Sequence, residues 1–158
     1  MSVFSFPREV NEPAARIVAG FVALMSLAAI WTHSIWIPTL LAAGFLLRVG
    51  WGPRFSPLAR FAVWAAPRLA PVAPVLGRPK RFAQGIGATV TLSVVALQAL
   101  GHTPASNALL VILVVFATLE SGFAFCFGCW LFGRFQIAGW ISSDICEDCG
   151  PDARAHAP

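Results

Sequence analysis

Charge is what this sequence has least of. Only 11% of its 158 residues are Asp, Glu, Lys or Arg, against 58% hydrophobic, whereas an ordinary soluble domain is about a quarter charged. A soluble domain of this size needs a polar shell, and too few polar residues are present to make one. The mean hydropathy of +0.75 points the same way. The chain reads as one integral membrane domain. Tyrosine is absent too, which leaves Trp as the main residue for the membrane–water boundary. Trp31, Trp36 and Trp51 all fall near the ends of apolar runs.

Other absences exclude function classes. The first apolar run starts late and no small-residue cleavage site follows it, so no cleavable signal peptide is expected. No Gly-rich phosphate loop occurs; "GIGATVTL" reads as a helix-packing run because no strand precedes it. No Ser-His-Asp arrangement can be argued, and no convincing repeat is present. The basic residues lie along membrane boundaries, not on one soluble face, so nucleic acid is not an expected partner.

What is present is a set of long apolar runs. About 20 apolar residues span a bilayer, and four runs qualify: about 15–31, 35–51, 82–100 and 108–132. The expected fold class is all-α, an integral membrane four-helix bundle, with residues 1–135 as the transmembrane domain and 136–158 as a Cys-containing tail. The proline-rich stretch between the second and third spans cannot form another spanning helix. Its middle can form a short amphipathic helix on the membrane surface, with Arg60 and Arg68 in the polar phase. All eleven Lys and Arg residues fall on one side of this arrangement, and the turns "THS" and "GHTPAS" have none. Basic residues mark the cytoplasmic side. The expected location is therefore the bacterial inner membrane, multi-pass, with both termini and all cysteines cytoplasmic.

The four cysteines form two C-x-x-C pairs, Cys126/Cys129 and Cys146/Cys149. In a reducing compartment such pairs point to catalysis or metal, not to structural disulfides. As redox dithiols, they would pass reducing equivalents from the tail pair to the membrane pair, with a thioredoxin-like protein as partner. Substituting Cys126 alone would then trap a mixed disulfide through Cys129. As metal ligands, the spacing C-x2-C-x16-C-x2-C suits one tetrahedral zinc. As packing residues, Cys126 and Cys129 would be small apolar groups beside Gly122, Gly128 and Gly133. The redox role leads, and a non-enzymatic subunit or scaffold with zinc-binding or packing cysteines is the alternative. A continuous fourth helix places the first pair near a helix C-terminus, whose dipole disfavours a thiolate. Arg134 would have to fold back to compensate.

Glu120 is the only acid well inside an expected span, so it is a further site candidate. Arg48 is its expected partner. On a continuous helix, Glu120 and Cys126 lie on different faces, which disfavours proton transfer between them. Gln98, Thr89, Thr91 and Ser93 are expected to knit helices together. His33 and His102 read as solvated turn residues.

Three stretches, "GPRFSPLAR", "PKRFAQGIG" and "GFAFCFGC", resemble a bacterial membrane family defined as domain of unknown function number 4395. The resemblance covers about Val10 to Phe132. It implies a four-helix membrane protein with C-x-G-C closing the last helix, matched here by Cys126, Gly128 and Cys129. It also implies association with thioredoxin-like or sulfur-handling proteins. Glu120 stands where the family pattern suggests an uncharged polar residue, and the pair Cys146/Cys149 looks like an extension.

Overall fold

Among the described residues of a computed structural model, 9–52, 55–69, 71 and 73–139, the chain forms six helices and one minimal two-stranded sheet. In order they are β1 (Glu9–Asn11), α1 (Glu12–Thr32), α2 (Trp36–Trp51), α3 (Pro57–Leu69), β2 (Pro74–Leu76), α4 (Gly77–Ala99), α5 (Thr103–Phe123) and α6 (Phe127–Ile137). The all-α class holds. Three helices are long and apolar enough to cross a membrane: α1, α4 and α5, with mean hydropathy 1.9, 1.4 and 1.8. At 16 residues, α2 is about 24 Å long and is a shorter apolar helix.

The four long segments close a ring, in which α1 packs on α5, α5 on α4, α4 on α2, and α2 back on α1. Small residues make that approach close. The buried stripe of α1 includes Ala14, Ala19, Ala23 and Ala29. Gly87 of α4 is buried against the ring of Phe45, and a Cβ there would collide with it. Larger side chains face outward: Leu24 is 64% exposed and Leu40 63%.

The amphipathic helix expected in the connection is α3. Ala59, Ala62 and Ala66 are buried on one face, packed against α1. Phe61 and Trp64 stand out on the other, with the Arg68 guanidinium 3.9 Å from the Trp64 ring.

Two features differ from expectation. The proline-rich stretch ends in β2, which pairs antiparallel with β1 in the register Val10↔Val75. The Glu12 amide adds a 2.9 Å bond to the Ala73 carbonyl. Proline suits such an isolated two-stranded edge because few ladder donors are required. The more consequential difference concerns the fourth segment. One helix over 108–132 was expected, but the chain breaks at residues 124–126 and starts again as α6.

Candidate dithiol site

The break begins with Ala124 in the left-handed region at φ 57°, a conformation that costs a non-glycine residue free energy. The surrounding bonds hold it there. The Ala124 and Phe125 amides donate back to Glu120 and Leu119. Two further carbonyls at the end of α5, on Ser121 and Gly122, accept from Arg16 of α1, each at 3.0 Å. Helix ends leave such carbonyls without partners, so Arg16 both satisfies them and fixes where α5 stops.

Behind the break, aromatic residues weld α6 to the bundle. Phe127 stacks on Phe116 of α5 with ring centroids 4.4 Å apart. Phe132 and Phe135 flank Phe82 of α4. Gly128 meets Ala83 of α4 so closely that a Cβ would lie 2.5 Å from the Ala83 Cβ. The apolar surroundings of "FAFCFGCWLF" are thus a helix–helix joint, and α6, with 11 residues, is not a spanning helix.

This arrangement reverses the dipole argument. Cys126 is the N-cap of α6, with extended backbone (φ −93°, ψ 103°), and its sulfur accepts from the Cys129 amide at 3.4 Å. A helix N-terminus stabilises a thiolate. The Cys129 thiol donates to the Cys126 sulfur at 2.8 Å, and both thiols are free. That hydrogen bond is the largest influence holding the Cys126 thiol below the ordinary thiol range. Burial and Glu120 act against it, while the Lys80 charge and the Cys129 amide assist. The same hydrogen bond, together with burial, pushes Cys129 far up. The pair is therefore asymmetric, with Cys126 the ionising member. Arg134 is not needed: it lies over Trp130, 5.7 Å from the ring.

Glu120 pairs with Lys80 at 2.5 Å, not with Arg48. Lys80 is only 8% exposed, and nothing in "PKRF" signals that this lysine, unlike Arg81, turns inward. The expected partner, Arg48, donates instead to the side-chain Oε1 of Gln84 at 2.9 Å and is 5% exposed. Neither cation is the surface residue that its flanking position suggested. The field of Glu120 reaches both. Two buried cations thus lie in the field of one carboxylate.

The break also changes the relation of Glu120 to Cys126. The two do not share a helix, and both line one cavity of about 200 Å³ running back among α1, α4 and α5. On its other side Cys126 borders an open hollow of about 530 Å³, with Cys129, Lys80, Phe125 and Trp130. Cys146 and Cys149 lie outside the described residues. Among the described residues, no cluster of three or more His, Cys, Asp or Glu residues could hold a metal ion. His33 and His102 are exposed, Thr89 and Ser93 bond only to their own helix, and buried Thr91 does the same.

Fold and site together define a helical protein with three membrane-length apolar helices and a dithiol at the N-terminus of a short docked helix. The chain belongs to the family described as domain of unknown function DUF4395, whose model matches residues 10–136. No curated protein and no solved structure matches it.

Proposed function

We propose that this protein performs thiol–disulfide exchange at the cytoplasmic face of the bacterial inner membrane. In this reading α1, α2, α4 and α5 form a four-helix membrane bundle, both termini are cytoplasmic, and α3 lies in the interface with Phe61 and Trp64 in the acyl boundary. Cys126 is the attacking thiolate and Cys129 the resolving thiol. The observation that carries the reading is the asymmetric pair itself: the Cys126 sulfur caps α6, and Cys129 lies within 2.8 Å to close a ring. The step balances simply. The Cys126 thiolate attacks a partner's disulfide, releasing one partner thiolate. Cys129 then displaces the second, leaving a Cys126–Cys129 disulfide and a reduced partner; the reverse sequence reduces this protein. The open hollow beside the pair suits the approach of a thioredoxin-like or sulfur-handling protein, and Cys146/Cys149 would serve as a relay.

The asymmetry decides which variant traps a partner. Cys129→Ser should accumulate a mixed disulfide through Cys126, visible as a reducible adduct on gels and by mass. Cys126→Ser should trap little. Absence of any adduct with Cys129→Ser would sink the proposal. A native mass raised by one zinc, with all four cysteines shielded from alkylation until a chelator is added, would favour a scaffold with a metal clip.

A further inference from the structure

The dithiol has a second neighbour that exchange with a soluble partner does not use. The cavity behind Cys126 is lined by Val18, Gly87, Leu113 and Ala117, with Glu120 and Cys126 at one end. Its lining is mostly apolar, and its polar groups, Gln84 and Glu120, are joined by the reactive sulfur. A dry apolar cavity of about 150 Å³ accepts benzene, so about 200 Å³ holds a substituted six-membered ring. Ile112, which also lines it, is 46% exposed, so one wall faces the surroundings of the bundle. A dithiol that oxidises must hand on two electrons. A carrier that reaches this cavity must be apolar, planar and small at its reactive end.

We infer that the cavity admits the head of a lipid-soluble quinone, which exchanges two electrons with the Cys126/Cys129 pair. The inference rests on the redox role proposed above and names its membrane-side co-substrate. In the oxidising direction the Cys126 thiolate and the Cys129 sulfur form the S–S bond as the Cys129 S–H bond breaks, and solvent returns the proton that Cys126 gave up on ionising. Two electrons and two protons pass to the quinone, giving one hydroquinone and one disulfide. Glu120, lining the same end and held by Lys80, is placed to stabilise or relay a proton at the quinone oxygen. The sulfurs already lie 2.8 Å apart, the approach that ring closure requires.

The test uses full-length protein in lipid nanodiscs, reduced and then mixed with decylubiquinone without oxygen. Quinone absorbance and alkylation mass are followed together. The expected result is one quinone reduced per disulfide formed. Ala117→Phe, which fills the cavity, and Ile112→Trp, at its exposed wall, should slow that reaction at least tenfold. Both should leave oxidation by the water-soluble reagent diamide unchanged, and a wild-type thermal unfolding midpoint shows that the variants are folded. Diamide oxidation of the wild-type pair without any quinone reduction would overturn the inference and leave the redox role standing. Wild-type quinone rates in both cavity variants would overturn it too, as would a phospholipid chain retained in the cavity by native mass and not displaced by quinone. Failure of the pair to oxidise with either reagent would instead remove the redox role itself.

Discussion

The two ends of this bundle are built to different rules. At one end, the turns after α1 and α4 are short, uncharged and exposed: Trp31 is 88% exposed, Trp36 75% and Leu100 72%. At the other end, β1, β2, α3 and α6 cover the helix ends, and an ion pair, a buried guanidinium and a dithiol sit beneath them. Both ends contain a non-glycine residue in the left-handed region, His33 at φ 51° and Ala124 at φ 57°. At His33 the turn only reverses the chain. At Ala124 it stops one helix so that the next begins on a cysteine. Similar backbone geometry yields a plain turn in one place and a chemical site in the other, because only the second is enclosed by neighbouring elements.

Mutations can break this contrast. The largest effect should come from Glu120→Ala, which leaves Lys80 buried beside Arg48 without its acid. Breaking a buried pair costs about 3–5 kcal/mol, read as a lowered midpoint of thermal unfolding in detergent. Lys80→Met combined with Glu120→Leu should recover most of it. His33→Ala and His102→Ala, at the exposed end, should each move stability by less than about 0.5 kcal/mol. Gly128→Leu comes next: its side chain meets Ala83, and overpacking costs about 1–3 kcal/mol. Here α6 should be pushed away, and Cys126 should lose its preference over Cys129 in alkylation by iodoacetamide.

A third comparison needs no large change in stability. Alkylation follows the thiolate, and Cys126 is held below the ordinary thiol range while Cys129 is pushed above it. As pH rises from acid, Cys126 should therefore react first, at a pH where an unperturbed peptide thiol is still slow. Its advantage should shrink as that reference thiol ionises. Peptide mapping across pH would check the order, and equal rates at both cysteines would refute the asymmetry. Smaller than the effects of breaking the ion pair or overpacking α6 are those of glycine at the two strained residues. Ala124→Gly and His33→Gly should each gain up to about 1 kcal/mol from relieved strain, less what glycine's unfolded-state freedom takes back. Only Ala124→Gly should also change the reactivity of Cys126.

Much of the fold was legible because long apolar runs leave a simple record. The apolar runs give α1, α2 and α4 to within a few residues at most termini, and the spacing of Arg60 and Arg68 anticipates α3. The break at Ala124 was not legible. Alanine is a good helix former, and no proline or glycine stands at that residue. It is Arg16, more than a hundred residues away, that satisfies the last carbonyls of α5. The aromatic run around the cysteines looked like more membrane span, whereas Phe116, Phe82 and their partners use it to dock a separate short helix. Glu120 stood out from the sequence as costly; Lys80, its partner, did not, because a basic residue at the start of a span ordinarily faces the headgroups.

The sequence by itself determined the all-α class, the membrane-length helices, the short amphipathic helix and the presence of a C-x-x-C, since each is a matter of local composition and periodicity. Only the tertiary structure decided what that C-x-x-C is attached to. Where a helix ends, which cation turns inward and whether a cysteine meets a helix's N-terminus or its C-terminus depend on contacts between residues far apart in the chain. Those contacts change the electrostatics of Cys126 without leaving any local mark on the sequence around it.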